Sequence, residues 1–170
     1  MIIRPEHPED INKIRSLNVL AFGQFLEAII VDKLRENCPG ILSLVAVEDE
    51  EIIGHILFSP VSIEGPHGSI QGMGLAPMAV LPDIQRQGVG ARLIQQGIDE
   101  LRKVHCPFIV VLGHHEYYPR FGFERASAYG IRCPWEGIPD EAFMILWLDK
   151  AMAGKVSGLA KYRDEFNETV

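Results

Sequence analysis

Apolar and polar residues alternate along this chain with two different periods, and the switches between them mark its elements. Residues 1–4 are a short apolar strand candidate closed by Pro5. Pro8, Glu9 and Asp10 are residue types favoured in a first helical turn, and Ile11, Ile14, Leu17 and Ala21 continue at helical spacing. Gly23 interrupts, and Phe25, Leu26, Ile29, Ile30 and Leu34 form a second amphipathic stretch that ends near Cys38-Pro39-Gly40. Two β-like runs come next, residues 42–47 and 52–58, joined by the acidic turn Glu48-Asp49-Glu50-Glu51. The turn signal Gly65-Pro66-His67-Gly68 leads into a strand that ends at Leu81. Helical spacing returns at Val89, Leu93, Ile94, Ile98 and Leu101; residues 108–112 are a β-branched run between Pro107 and Gly113, and residues 142–148 are a closing strand. The order includes both hairpins and a strand–helix–strand crossover, so it predicts an α/β fold with a mixed sheet. Residues 1–150 read as one domain. Residues 151–170 are polar and poorly periodic, a frayed tail or a short surface helix.

The junction between the strand ending at Leu81 and the helix beginning near Val89 carries the densest chemical signal, Gln85-Arg86-Gln87-Gly88-Val89-Gly90-Ala91. A helix N-terminus offers backbone N–H groups without partners and a partial positive charge. Glycines there let a bulky anion approach the backbone, which suits a phosphate or pyrophosphate. A Walker loop requires Lys and then Ser or Thr after its second glycine, and Ala91-Arg92 excludes it. A dinucleotide fingerprint requires a third glycine where Leu93 stands and an acidic residue near the next strand; residues 108–112 contain no carboxylate. A glycine pair that only eases helix–strand packing, or a nucleotide-binding regulator, remains an alternative on spacing alone.

Composition narrows the classes further. The chain has 170 residues, 47% hydrophobic and 23% charged, which is ordinary for one globular domain. Its net charge of −7 argues against a nucleic-acid partner. No apolar run approaches the roughly 18 residues of a membrane span, and the N-terminus lacks the pattern of a secretory signal, so a cytoplasmic location is expected. Cys38, Cys106 and Cys133 are widely spaced and each precedes a proline, a pattern of neither a disulfide framework nor a zinc site; no metal is expected.

The motif Gln-x-x-Gly-x-Gly at a strand–helix junction resembles the acetyl-CoA pyrophosphate loop of the GNAT superfamily, the GCN5-related N-acetyltransferases. Two further segments support this: Met78-Ala79-Val80-Leu81-Pro82 is similar to the end of that family's fourth strand, and Tyr118-Pro119-Arg120-Phe121-Gly122-Phe123 to its Tyr-x-x-x-Gly-Phe segment. The resemblance covers roughly residues 1–148 and is sharp over residues 73–123. It implies a central twisted mixed sheet of about six to seven strands with flanking helices. In that fold the fourth and fifth strands splay apart around the cofactor's pantetheine arm, and Pro77, which has no N–H, fits such a strand.

The same resemblance implies acetyl-CoA as co-substrate and an N-acetyltransferase acting by direct attack of a primary amine, from a small molecule or a peptide, in a ternary complex. Backbone groups of Met78, Ala79 and Val80 would position the thioester, with the Val80 N–H on its carbonyl. N–H groups from Arg86 through Gln87, Gly88, Val89 and Gly90 to Ala91 would hold the pyrophosphate, with Gln85 opening the loop. Tyr118, rather than its neighbour Tyr117, has the spacing to Phe123 of the family's tyrosine that protonates the leaving thiolate. No carboxylate stands in Gln71-Gly72-Met73-Gly74-Leu75, where some members carry a glutamate, so the general base is unassigned among His114, His115 and Glu116. Acceptor specificity would come from residues 22–32 and 126–140, with Phe25, Glu27 and Trp135 the side chains of interest. A homodimer is admitted but not required. The alternative from another class is an acyl-CoA sensor of the same fold without efficient turnover.

Overall fold

The computed structural model describes residues 1–167 and divides them into two compact units. The first comprises Met1–Ser59, Ala76–Glu100 and the chain from Asp164 onward; the second comprises Pro60–Leu75 and Leu101–Arg163. Strands β3 (Glu51–Gly65) and β4 (Gly68–Val80) contribute residues to both.

In the first unit, β1 (Ile2–Pro5) pairs antiparallel with β2 (Leu42–Glu48), from Ile2↔Val47 to Pro5↔Leu44, and β2 pairs antiparallel with the first half of β3, from Leu42↔Phe58 to Glu48↔Glu51. Helices α1 (Ile11–Phe22) and α2 (Leu26–Asn37) bury Ile14, Leu17, Ile30, Val31 and Leu34 against Val45, Leu57 and Ala79 of the strands. Gly23, left-handed at φ +70°, ends α1. The guanidinium of Arg4 grips Asp10 with two hydrogen bonds of 2.7 and 3.1 Å, and the same carboxylate accepts the His7 N–H at 2.7 Å. This ties β1 to the entry of α1, and the Arg4 hydrogen bond holds the Asp10 carboxyl below its usual range despite burial. Helix α3 (Val89–Lys103) turns Leu93, Ile94 and Ile98 inward. A Cβ at Gly97 would lie 2.3 Å from the Phe58 ring, so the helix approaches the sheet that closely only without a side chain there.

In the second unit strands pair in both senses. Strand β5 (Phe108–Leu112) runs parallel to β4 over Met73↔Ile109, Gly74↔Val110 and Leu75↔Val111, and antiparallel to β8 (Phe143–Trp147). The two-residue strands β6 (Glu124–Arg125) and β7 (Ile131–Arg132) pair with β8 and with β9 (Gly158–Lys161) respectively, and β9 pairs antiparallel with β3 from Ser62↔Lys161. Among the described residues the sheet has nine strands, in the order β1-β2-β3-β4-β5-β8-β6 with β7 and β9 off that path. Val61, Phe108, Val110, Ile145, Trp147 and Ala160 form the core of this unit. The expected mixed sheet with flanking helices is present, enlarged by β6, β7 and β9.

Two boundaries differ from the sequence reading. Strand β3 runs well past Phe58, because its partner changes from β2 to β9 around Pro60, which lacks an N–H and sits where neither ladder needs one. The segment read as a tail or surface helix contains β9, with Ala160 fully buried. Residues 168–170 of that segment lie outside the described residues.

One polar cluster is sealed in the first unit. His55, wholly buried on β3, receives the Asn18 amide at 3.3 Å on Nδ1 and lies 2.9 Å from Ser43 Oγ through Nε2. The same amide nitrogen donates to Ile14 O at 3.0 Å, so Nδ1 is the acceptor and Nε2 carries the proton of a neutral ring. Burial pushes the ring's pKa down to about 4; Glu6 opposes and Arg35 adds to the shift. The unfolded chain therefore binds the extra proton between pH 6.5 and about 4, and stability present above pH 6.5 is lost as pH falls through that window, by roughly 2–3 kcal/mol. Chemical denaturation at pH 7.5 and 5.0 should show this loss, and His55→Gln should flatten it. Gly97→Ala should cost about 1–3 kcal/mol in the same measurement, although alanine is the better helix former.

Candidate active site

Past Leu75, β4 has no ladder partner on its β5 side among the described residues. The Leu81 N–H bonds Ile53 O of β3 at 3.0 Å. Because backbone groups alternate between the two edges of a strand, the N–H and C=O of Val80 point to the other edge. The Gln85 side-chain amide donates to that Val80 carbonyl at 3.1 Å, which braces the loop against the strand and leaves the Val80 N–H as the remaining donor there. Ala79 is buried in the α1–α2 core, while Met78 and Val80 are half-buried. Met78, Ala79 and Val80 can thus present backbone rather than reactive side chains.

From Val80 the chain passes through one 3-10 turn (Pro82–Ile84) and reaches Gln85 in extended conformation. Arg86 and Gly88 are left-handed, at φ +64° and +91°, and α3 begins at Val89. The first helical bond runs from Arg92 N–H to Gly88 O at 3.1 Å, so the N–H groups of Val89, Gly90 and Ala91 fall in the first turn, where a helix supplies them no acceptor. Arg86, Gln87 and Gly88 are exposed, and no atom lies within 4 Å of where a Gly88 Cβ would stand. Val89 and Leu93 are buried and fix the direction of the helix. The result is an open helix N-terminus with three unengaged donors and one arginine beside them, suited to a doubly charged phosphate group. Gln85 belongs to this loop as a brace, a role invisible in spacing.

Tyr118 lies in the second unit. After β5 the Gly113 N–H bonds Ala142 O at 2.9 Å, and Tyr117 and Tyr118 both donate their N–H to His114 O, at 3.1 and 3.3 Å. A short 3-10 turn (Tyr118–Phe121) comes next and closes at left-handed Gly122. The Tyr118 ring is 8% exposed, packed edge-on to Phe123 at 5.6 Å and Tyr117 at 5.2 Å, and a Cβ at Gly113 would lie 2.4 Å from it. Burial raises its phenol pKa above the ordinary value, so the group stays protonated at neutral pH. Its hydroxyl makes no hydrogen bond among the described residues. Tyr117 instead packs on Phe121 under the Arg120 guanidinium, 4.8 Å above its ring. The two neighbours are thus physically distinct, one inward and one part of a surface cluster.

His114, His115 and Glu116 are exposed on the loop before Tyr118, with His115 Nε2 at 3.9 Å from Glu116 Oε1. None is held by a burial or hydrogen bond that would mark it as a base. Phe25, 70% exposed, stands at the start of α2, and the Glu27 carboxylate receives two bonds from the Gln24 amide, at 2.9 and 3.1 Å. Trp135 packs in the second unit against Tyr162 of the chain's last tenth, a residue that no sequence signal singles out. No helix among the described residues is long and apolar enough to cross a membrane.

Comparison with known proteins agrees with this geometry. The family model for the acetyltransferase (GNAT) family matches residues 11–123. The uncharacterized N-acetyltransferase YhbS of Escherichia coli K12 is 39% identical over 169 residues, covering 98% of this chain and 99% of that protein. A second relative in that strain, the uncharacterized N-acetyltransferase YjhQ, is 42% identical over 135 residues, covering 78% of this chain and 74% of the relative. The crystal structure of E. coli YhbS in complex with CoA superposes with a TM-score of 0.91 at 37% identity, over 99% of this chain and 93% of that one. A GNAT family acetyltransferase from Brucella melitensis, in complex with acetyl-CoA, gives 0.80 at 35% identity and 97% coverage of both. The chain therefore belongs to the GNAT family of acetyltransferases.

Proposed function

We propose that this chain transfers the acetyl group of acetyl-CoA to a primary amine by direct attack in a ternary complex, acting in the cytoplasm. The observation that carries the reading is the pairing of one outward donor, the Val80 N–H, with the open N-terminus of α3 nine residues on. Acetyl-CoA supplies a thioester already activated toward amines. The N–H groups of Val89, Gly90 and Ala91, with Arg86, would hold its pyrophosphate. The open space at Gly88 and the unengaged first-turn donors fit such a group. Its relatives' complexes with CoA and acetyl-CoA support the same cofactor.

The Val80 N–H would donate to the thioester oxygen, where negative charge develops as the amine attacks. Tyr118 would give its hydroxyl proton to the departing sulfur. A raised phenol pKa keeps that proton available at working pH, and a thiolate formed in a similarly dry site is correspondingly more basic, so the transfer stays near balance. The missing strand carboxylate leaves deprotonation of the amine to solvent or to the exposed 114–116 loop. The three cysteines are free, consistent with a reducing compartment.

Amine-dependent release of CoA thiol tests the reading. Acetyl-CoA binding without thiol release across many amines would instead support an acyl-CoA sensor. Gly88→Glu, which adds a charge and a side chain at φ +91°, should abolish CoA binding by calorimetry; unchanged affinity would place the phosphates elsewhere. Tyr118→Phe should lower turnover by ~10²–10⁴-fold with little change in cofactor affinity. In the wild type, no alkaline decline attributable to Tyr118 should begin below about pH 10.

A further inference from the structure

A cavity of about 310 Å³ opens within the first unit, between α1, the start of β3 and the residue that follows β4. Its apolar lining is Leu17, Leu20, Ile52 and Leu81. Leu17 and Ile52 are buried members of the α1–α2 core and Leu81 packs against that core, so the three make a packed floor. Leu20 stands at the rim, 61% exposed. The Leu81 N–H is bound to Ile53 O of β3, whereas the Val80 N–H points to the opposite edge of β4. The cavity therefore stands on the β3 side of that strand, apart from the proposed thioester donor.

The polar lining is divided by charge. Asn12, Lys13 and Ser16 come from α1, at the three- and four-residue steps that line one side of a helix. Asn12 Oδ1 already accepts from the Arg15 guanidinium at 3.0 Å, which leaves its NH₂ as the donor. Helix α1 thus brings an ammonium, a hydroxyl and an amide donor to the cavity, and β3 brings one carboxylate, Glu51. Arg4, Arg15 and Arg35 of the same unit all pair with carboxylates. Among the described residues the side chains of Lys13 and Glu51 make no ion pair or hydrogen bond, with each other or with any other group. Two opposite charges line one cavity and leave each other open.

We propose that this cavity binds a small zwitterion with an aliphatic side chain, an aliphatic α-amino acid in chemical class. Its carboxylate is held by Lys13, with Ser16 and Asn12 donating to it, and its ammonium by Glu51. Its side chain lies on Leu17, Ile52 and Leu81 and gains by leaving water. Charges of both signs reject a ligand that carries only one: a diamine brings an ammonium to Lys13, and a dicarboxylate brings a carboxylate to Glu51. A sugar would lay hydroxyls on a floor that offers them no partner. Within a peptide the same two groups are neutral amides, so a chain segment lacks the charges for both walls. The volume is at the lower end for small-molecule sites, which suits a single amino acid. No bond is made or broken in this cavity, and the inference does not depend on the acetyl-transfer reading.

The test titrates the full chain with L-leucine, by calorimetry and by backbone amide NMR. L-Leucine should bind with a Kd at or below about 1 mM. The amide signals of Ser16, Leu20, Ile52 and Leu81 should be among those that move most. Leucinamide lacks the carboxylate, 4-methylpentanoate the ammonium and glycine the side chain, and each should bind at least about 3-fold more weakly. Lys13→Met and Glu51→Gln should each weaken L-leucine by at least about 3-fold. Both side chains are exposed and unpaired, so the variants should keep the wild-type amide spectrum away from the cavity. A Kd above about 1 mM for L-leucine would overturn the inference. A smaller loss in either variant would put the bound ligand elsewhere, the acceptor site included, and would overturn it as well. Leucinamide or 4-methylpentanoate binding as tightly as L-leucine would show that the two charges do not act together, against the proposal.

Discussion

The site depends on a hydrogen-bond ladder that stops. Among the described residues, β5 holds strand β4 only over Met73, Gly74 and Leu75, and the chain continues five more residues as strand with that edge unladdered. An open strand edge ordinarily carries a cost, because its N–H and C=O groups need partners. Here the Val80 carbonyl is capped by the Gln85 amide from the adjoining loop, and the Val80 N–H is left directed outward. A single side chain thus satisfies the acceptor and leaves the donor, which is the polarity a thioester oxygen requires.

The same brace sets the path of the loop into α3. With Gln85 tied back to Val80, the chain must reverse quickly, and it does so through left-handed Arg86 and Gly88 before the helix begins. The helix is anchored by buried Val89 and Leu93, and Gly97 lets it lie on the Phe58 ring. A rigid helix keeps its unengaged N–H groups aimed at one point, and preorganised donors act on an anion without first reorganising. The long strand β4 contributes residues to both compact units.

Much of this is legible in the amino-acid sequence alone. The strand–loop–helix junction stands out because glycines, an apolar strand and a 3.6-residue period meet within about twenty residues. The helices and the central strands emerge from periodicity, and the resemblance to the family's Tyr-x-x-x-Gly-Phe segment singles out Tyr118 over Tyr117. What escapes depends on partners distant in sequence. Gln85 looks like any polar loop residue until the Val80 carbonyl is found 3.1 Å away. Strand β9 is four residues long with two apolar positions, too short for a period to register, and its stability comes from β3 and β7 on either side. Tyr162 lies in a segment that reads as tail, and nothing local says that its ring rests on Gly74. Pro60 breaks the β3 pattern at the point where the strand changes partners.

Backbone amide NMR of the uniformly ¹⁵N-labelled chain, titrated with CoA and acetyl-CoA, addresses the central claim most directly. The account predicts that the N–H signals of Val89, Gly90 and Ala91 move strongly downfield with either ligand, as donors to a phosphate do. The Val80 N–H should move further with acetyl-CoA than with CoA, because only the thioester offers it an acceptor. Binding that shifts other amides while these four stay in place would contradict it.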